Sequence, residues 1–124
     1  LKAYSNHFLL LFYAGRLISF INGFVSNQKD LFDEMYENVS LHDEDGDWQM
    51  IFGVNTHPEF QRRGIATKMM QAFLEEAKKE GRKGAVLTCK EEKIPFYSRC
   101  GFVLEGKSAS VHGDAEWYQM RRRF

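Results

Sequence analysis

Cysteine is scarce in this sequence, and neither a long hydrophobic run nor an excess of one charge is present. The two cysteines, Cys89 and Cys100, are too few for the disulfide framework of a small secreted protein, so we expect buried free thiols in a reducing compartment. The longest apolar run, residues 8–14, is far shorter than the roughly 20 residues that cross a bilayer, and it lacks the flanks of a signal peptide. We therefore expect a cytoplasmic protein without a membrane partner.

The charges balance, with 17 basic and 17 acidic residues in a chain of 124. This balance removes the positive field on which nucleic-acid binding depends, and the basic run at residues 121–123 is better explained as the solvated tip of a strand. The acidic run at residues 43–47 does not place Gly and Glu where a calcium-binding EF-hand loop needs them. Cysteine and histidine do not recur at the spacing of metal ligands. We expect neither nucleic acid nor a metal ion as a partner.

Hydrophobic residues make up 44% of the chain, enough for the core of one compact domain at residues 1–124, although the chain starts at Leu1 as if within that domain. Periodicity and turn residues predict a mixed sheet with helices packed on it. The strands are expected at residues 8–12, 17–25, 48–54, 85–89, 102–105 and 116–121, and the helices at 31–39, 64–80 and 91–100. The apolar strand at 85–89 is expected to be parallel and central, and Gly53 to mark a bulge or close approach.

The loop that joins the third predicted strand to the long second helix has the sequence Gln-Arg-Arg-Gly-Ile-Ala at residues 61–66. A helix N-terminus presents free N–H groups and partial positive charge, which attract phosphate. Gly64 lets the backbone approach an anion, Ala66 is small, and Arg62 and Arg63 add positive charge. The loop is neither a Walker A motif nor a Gly-x-Gly-x-x-Gly fingerprint. By itself the loop fits either a phosphate site of another kind or the polar start of a helix.

This loop resembles the pyrophosphate-binding loop Gln/Arg-x-x-Gly-x-Gly/Ala of the GNAT superfamily of N-acetyltransferases. The resemblance continues through residues 53–58 and through residues 94–102, which are similar to the Phe-Tyr-x-x-x-Gly-Phe signature of that superfamily. Residues 89–102 and the pair at 41–42 most resemble the arylalkylamine N-acetyltransferase branch. The resemblance implies an α/β (α+β) fold with a mixed, splayed central sheet and helices on its faces. We find no counterpart of the superfamily's N-terminal strand and two helices before Phe8, so either the protein lacks them or they lie outside this sequence.

The resemblance also implies acetyl-CoA as cofactor and assigns residues to it. The backbone N–H of Val54 becomes the oxyanion donor. Tyr97 becomes the acid that protonates the departing thiolate, since a phenol and an alkyl thiolate have similar basicity; the alternative is a ring that only packs its helix. The implied cofactor contacts are Val54, Asn55, Thr56, Gln61, Arg62, Arg63, Gly64, Ile65, Ala66, Thr67 and Tyr97.

The general base is left open by the sequence. Arylalkylamine members carry two histidines on the strand before the loop, and the matching residues here, Met50 and Phe52, cannot take a proton. The loop histidines His42 and His112 are candidates because histidine titrates in the right range, and a water chain is the alternative. A thiol nucleophile at Cys100 lacks a third orienting group, which favours direct transfer in a ternary complex.

Aromatic side chains at strand spacing form either core or an apolar acceptor pocket. Trp48 and Trp117 flank polar loops, and with His42 and His112 they are the candidate substrate-binding residues. The sequence therefore predicts transfer of an acetyl group from acetyl-CoA to a primary amine of a small molecule, an aralkylamine or a polyamine-like acceptor. The alternative is a GNAT-like module that binds acyl-CoA without turnover, as a sensor or scaffold. A homodimer is left open.

Overall fold

The structure, a computed structural model, describes residues 2–5, 8–28, 30, 46–58, 61, 64–108 and 116–124, with side chains from residue 9 onward. Its strands are β1 (Lys2–Ser5), β2 (Phe8–Tyr13), β3 (Arg16–Ser26), β4 (Trp48–Thr56), β5 (Gly84–Cys89), β6 (Val103–Lys107) and β7 (Tyr118–Arg123). The helices in the described part are α1 (Ile65–Lys79) and α2 (Ile94–Arg99), the latter preceded by a 3₁₀ turn at Glu91–Lys93.

The strands form one seven-stranded sheet in the order β1-β2-β3-β4-β5-β7-β6. Neighbouring strands pair antiparallel except β4 and β5, which are parallel. The predicted mixed sheet is confirmed. The strand predicted to be parallel and central is β5, which is parallel to β4 and lies next to the middle of the sheet. The sequence analysis did not predict β1, which pairs only with β2 at the edge of the sheet. The predicted helix at 31–39 lies outside the described residues.

Helix α1 covers one face of the sheet with an apolar stripe, as its periodicity predicts. Its buried residues, Met69, Met70, Phe73, Leu74 and Ala77, recur at the three- and four-residue spacing of one helical face. Met69, Met70, Phe73 and Leu74 pack with buried residues of β2, β3, β4, β5 and β7 in the larger core cluster. Of the helices in the described ranges, none is both long and apolar enough to span a membrane.

Strand β4 contributes to two apolar clusters because successive side chains point to opposite faces of a sheet. Ile51 belongs to the larger cluster, beneath α1. Trp48 and Met50 join Phe24 in a second cluster, and Phe52 packs against it. The centre of the sheet is thus apolar on both faces, which fits a central strand.

A β-bulge ends the pairing between the two parallel strands. Asn22 of β3 faces Gly53 and Gly23 faces Ile51, so Phe52 is an extra residue in β4, one position from the predicted bulge at Gly53. A bulge bends its strand and increases the local twist. The ladder between β4 and β5 pairs residues 48–51 with 84–87 and ends directly before the bulge. Residues 53–56 stay paired with β3 while the strand departs from β5, which is the predicted splay.

Gly23→Ala is expected to lower the free energy of unfolding by about 3 kcal/mol or more. A Cβ at Gly23 would overlap the backbone oxygen of Met50, which is held in the sheet and cannot move aside. Gly53→Ala is the matched control in the same ladder, because its Cβ would meet the side-chain Oδ1 of Asn22, at 2.7 Å, and that side chain can rotate. Urea denaturation measures both variants. Equal losses would contradict the rigid bulge described here.

Candidate active site

In the described part of the structure, the last residues of β4 have no strand partner on the side of β5. Val54 lies half-buried against the larger core cluster, whereas Asn55 is exposed. On the β3 side Val54 pairs with Ile21 and Asn55 with Phe20, but on the β5 side the described ladder ends at Ile51. Backbone N–H and C=O groups need partners, so an extended ligand that carries amides can pair with this edge as a strand would.

Side chains from two directions hold this end of β4. Ser19 Oγ donates to the backbone oxygen of Asn55 at 2.9 Å and lies 3.1 Å from Thr56 Oγ1. Gln61 Nε2 donates to the backbone oxygen of Thr56 at 3.0 Å, so it connects the loop before α1 to the strand. An open pocket with a volume of about 280 Å³ lies beside this point and is lined by residues 17–20 and 55–57. The sequence analysis did not identify Ser19. The feature that could have identified it is a polar residue within a largely apolar strand.

Helix α1 begins without a side-chain cap. Its N-cap, Gly64, has φ 75° and ψ 7°, the left-handed conformation that favours glycine, and a Cβ there would meet nothing within 4 Å. The first turn holds no acidic residue, and Lys68 N–H bonds back to Gly64 O at 3.1 Å. The N–H groups of Ile65, Ala66 and Thr67 therefore lie at the partially positive end of a 15-residue helix. This end is suited to an anion.

A Schellman motif ends helix α2 and positions Tyr97. The N–H of Phe102 donates to the backbone oxygen of Tyr97 at 3.1 Å, the N–H of Gly101 donates to that of Ser98 at 3.1 Å, and Gly101 has φ 91°. The Tyr97 ring meets Phe96 and Phe102 edge to face, with 5.1 and 6.1 Å between ring centroids. The backbone and the ring of Tyr97 are both held in place.

Three of the predicted site residues border the larger core cluster. Val54 from the end of β4, Ile65 from the start of α1 and Tyr97 from α2 all pack, half-buried, against the larger core cluster. They are separated along the chain by long segments, so only the packing of α1 and α2 on the sheet unites them. The end of β4, the start of α1 and the tyrosine thus each contact the same apolar core.

The two tryptophans predicted at the acceptor site lie apart from each other. Trp48 stands at the opposite end of β4, is 7% exposed, and has the guanidinium carbons of Arg121 and Arg123 at 4.5 and 5.4 Å from its ring centroid. These contacts account for Trp48 as a packing residue, so we leave it out of the candidate site. Trp117 is half-buried and directly precedes β7. Lys90, which directly follows β5, has its Nζ 5.9 Å from the centroid of the Trp117 ring. This is the end of β5 from which β4 diverges.

The positions that match the histidines of the arylalkylamine branch are apolar in their surroundings as well as in their side chains. Met50 is fully buried in the second cluster, and the Phe52 ring lies 4.9 Å from that of Phe24. Four other predicted residues, Arg62, Arg63, His42 and His112, lie outside the described residues.

Cys89 and Cys100 are free and buried, as predicted. Burial, with a contribution from Glu92, raises the pKa of Cys89 to about 11. Burial also raises the pKa of Cys100, against the opposing charges of Arg99 and Arg122. Both thiols therefore stay protonated at neutral pH, and a protonated thiol is a poor nucleophile. Within the described residues, no group of three or more His, Cys, Asp or Glu is placed to hold a metal ion.

Comparison with known proteins identifies the family that this fold and site define. The model of the acetyltransferase (GNAT) family matches residues 1–102. The match covers most of the chain, so the chain belongs to the GNAT family of acetyltransferases. The family uses acetyl-CoA, the cofactor that the sequence predicted.

Individual relatives agree with this assignment. Serotonin N-acetyltransferase of Mesocricetus auratus is 26% identical over 93% of this chain, which spans 58% of that protein. Serotonin is an arylalkylamine, so the predicted likeness to that branch is confirmed. The loading GNATL domain of CurA from Lyngbya majuscula has a TM-score of 0.78 at 13% identity, over 94% of this chain and 76% of its own. An acetyltransferase of Bacillus anthracis str. Ames, solved in complex with acetyl coenzyme A, has a TM-score of 0.66 at 16% identity, over 94% of this chain and 61% of its own.

Gly64→Asp is expected to weaken acetyl-CoA binding by roughly tenfold or more, because it sets a carboxylate against phosphates at the start of α1. Gly64→Asn is the matched control: Asn has the same size and also tolerates the left-handed conformation, but it carries no charge. We expect Gly64→Asn to lose less than about threefold. Isothermal titration calorimetry measures both. Equal affinities for the two variants would place the phosphates elsewhere.

Proposed function

We propose that this chain transfers an acetyl group from acetyl-CoA to the primary amine of a small molecule, by direct attack within a ternary complex. The observation that carries the proposal is the convergence of an open strand edge, an uncapped helix start and Tyr97 on one core cluster. The strand and the loop before the helix are joined by the hydrogen bond from Gln61 to Thr56. One long ligand with an anionic end and an amide-rich arm suits both features.

The chain offers each part of acetyl-CoA a matching group. The N–H groups of Ile65, Ala66 and Thr67 would hold the pyrophosphate, since no acidic side chain of the first turn opposes it and Gly64 leaves the approach open. The edge of residues 54–56 would pair with the amides of the pantetheine arm. In this arrangement the charged end of the cofactor meets the positive end of the α1 dipole.

When bound, acetyl-CoA supplies a thioester, and the residues of this chain act on its carbonyl oxygen and its sulfur. The Val54 N–H would donate to the carbonyl oxygen as negative charge develops there, a role typically worth about 3–4 kcal/mol. The Tyr97 hydroxyl would give its proton to the departing thiolate. Both residues border the apolar core cluster, where the low dielectric strengthens such interactions.

An aralkylamine is the acceptor class that we favour. Its support is the 26% identity to serotonin N-acetyltransferase, together with the half-buried Trp117 at the end of β5 from which β4 diverges. No side chain of β4 can act as a base, because the strand contains no His, Asp, Glu, Lys, Cys or Tyr. The proton of the amine would then leave through water or through His42 or His112, or the amine would arrive neutral.

The apolar surroundings of Met50 and Phe52 also favour a second function. A chain that binds acyl-CoA as a sensor or scaffold needs the strand edge and the helix start but no general base. Cofactor binding is common to both functions, so turnover separates them.

In the presence of acetyl-CoA and aralkylamines such as tryptamine and phenylethylamine, we expect the protein to release the CoA thiol. The value of kcat/KM should increase from about pH 6 to about pH 10, since the neutral fraction of an amine with a pKa of ~10 increases over this range. A thiol-trapping assay across the amine panel measures both quantities.

Two other outcomes of this assay would contradict the expectation. A plateau reached near pH ~7.5 and abolished by His42→Ala or His112→Ala would identify a histidine base. Binding of acetyl-CoA without thiol release for any amine would support the sensor or scaffold instead.

Tyr97→Phe is expected to lower kcat by roughly tenfold to a thousandfold while the Kd for acetyl-CoA changes little. The hydroxyl is needed only as the thiolate leaves, whereas the ring and backbone contacts that end α2 remain in the variant. Tyr13→Phe, at a hairpin tip where the side chain is 63% exposed, controls for loss of a phenol elsewhere. Steady-state kinetics with calorimetry measure both. An unchanged kcat would reduce Tyr97 to a packing residue.

A further inference from the structure

A buried hydroxyl on β3 touches the proposed cofactor strand at two points. Ser19 is 1% exposed, yet its Oγ donates to the backbone oxygen of Asn55 at 2.9 Å and lies 3.1 Å from Thr56 Oγ1. Ile18, directly before it, and Ile21, two residues after it, are buried and apolar. An apolar side chain would fill such a position without needing a partner, so the distinctive contribution of Ser19 is this pair of polar contacts.

We propose that Ser19 is a positioning residue for acyl transfer. By holding Asn55 and Thr56, it keeps the open edge of β4 in the conformation that receives the pantetheine arm of acetyl-CoA. The inference rests on the proposed function, since it assumes that this edge binds the arm. Ser19 itself lies on β3 and acts through β4.

The end of β4 needs support because the bulge removes it from β5. Up to Ile51 the strand has a neighbour on both sides, but residues 53–56 are in a described ladder only with β3. A segment held along one edge retains conformational freedom, and a ligand that pairs with the other edge must first pay for its ordering. The contacts from Ser19 reduce that freedom at the two residues farthest from the bulge.

Gln61 supports Thr56 from the opposite direction. Ser19 approaches Thr56 from β3 at its hydroxyl, and Gln61 approaches from the loop before α1 at its backbone oxygen, at 3.0 Å. The strand edge and the helix start are therefore kept at a set spacing. One cofactor must reach both, and two subsites help each other only when their spacing matches the ligand.

A second serine of β3 provides a matched control. Ser26 is 3% exposed, comparably buried, but it pairs with Trp48 at the other end of β4, and its Oγ accepts the N–H of Gln28 at 3.0 Å within its own turn. Removal of this hydroxyl affects a buried serine of the same strand without touching the proposed site.

The test compares wild type, Ser19→Ala, Ser19→Thr and Ser26→Ala in binding to two ligands by calorimetry, with thermal melting of each variant. Acetyl-CoA occupies both subsites, whereas adenosine 3′,5′-bisphosphate carries the nucleotide end without the pantetheine arm. We expect Ser19→Ala to raise the Kd for acetyl-CoA by about fivefold to thirtyfold, with the Kd for the bisphosphate changed less than about twofold. Ser19→Thr, which keeps the hydroxyl, should restore most of the affinity, and Ser26→Ala should bind both ligands as wild type does.

Ser19→Cys keeps the proposal testable if Ser19→Ala folds poorly. Cysteine is close to serine in size, but its thiol is a weak hydrogen-bond donor. The variant should show the same selective loss for acetyl-CoA. Equal losses for both ligands, or a Ser19→Ala variant that binds acetyl-CoA as tightly as wild type, would overturn the positioning role alone. A wild-type protein that fails to bind acetyl-CoA would overturn the proposed function together with this inference.

Discussion

The divergence of β4 from β5 is the constraint on which the rest of this structure depends. Two parallel strands that stayed paired along their whole length would satisfy each other's backbone groups and leave nothing for a ligand. The extra residue Phe52 ends that pairing in the middle of the sheet, where both faces carry apolar clusters. The result is an open strand edge within a packed sheet instead of at its rim, which is an unusual and useful place for unpaired amides.

Much of the chemistry proposed for this site belongs to backbone groups, so conformation matters more than side-chain identity. Gly64 contributes a left-handed N-cap that lets α1 start without a side chain over its N–H groups. Gly101 ends α2 in a Schellman motif in which Tyr97 and Phe102 make the accompanying apolar contact. Helix termination thus explains the ring of Tyr97, the glycine and the second phenylalanine of the Phe-Tyr-x-x-x-Gly-Phe pattern, but not the tyrosine hydroxyl.

On the second face of the sheet, charged groups join the strands beside the apolar cluster that contains Trp48. Arg121 is buried; its Nε donates to Glu105 at 2.9 Å, and another of its nitrogens bonds Asp30 at 2.8 Å, while its guanidinium covers Trp48. Burial by itself would raise the pKa of Glu105, but hydrogen bonds from Arg121 and Gln119 outweigh it and hold that pKa below its usual value. Strands β6 and β7 are in this way connected to the segment that follows β3, away from the proposed site.

The sequence by itself determined the features that depend on near neighbours along the chain. These are the apolar stripe of α1, the start of that helix at Gly64, and the helix end at Gly101, because a turn or a helix face is complete within a few residues. The sequence analysis did not predict strand β1, because this strand is stabilised by pairing with β2 and not by a pattern of its own. The sequence analysis also did not identify Ser19, because its partners are 36 and 37 residues away along the chain. It assigned Trp48 to the acceptor site, because the arginines that cover this ring come from β7. Only the tertiary structure decided which strand edge stays open and which buried groups hold it, because those outcomes depend on contacts between distant segments.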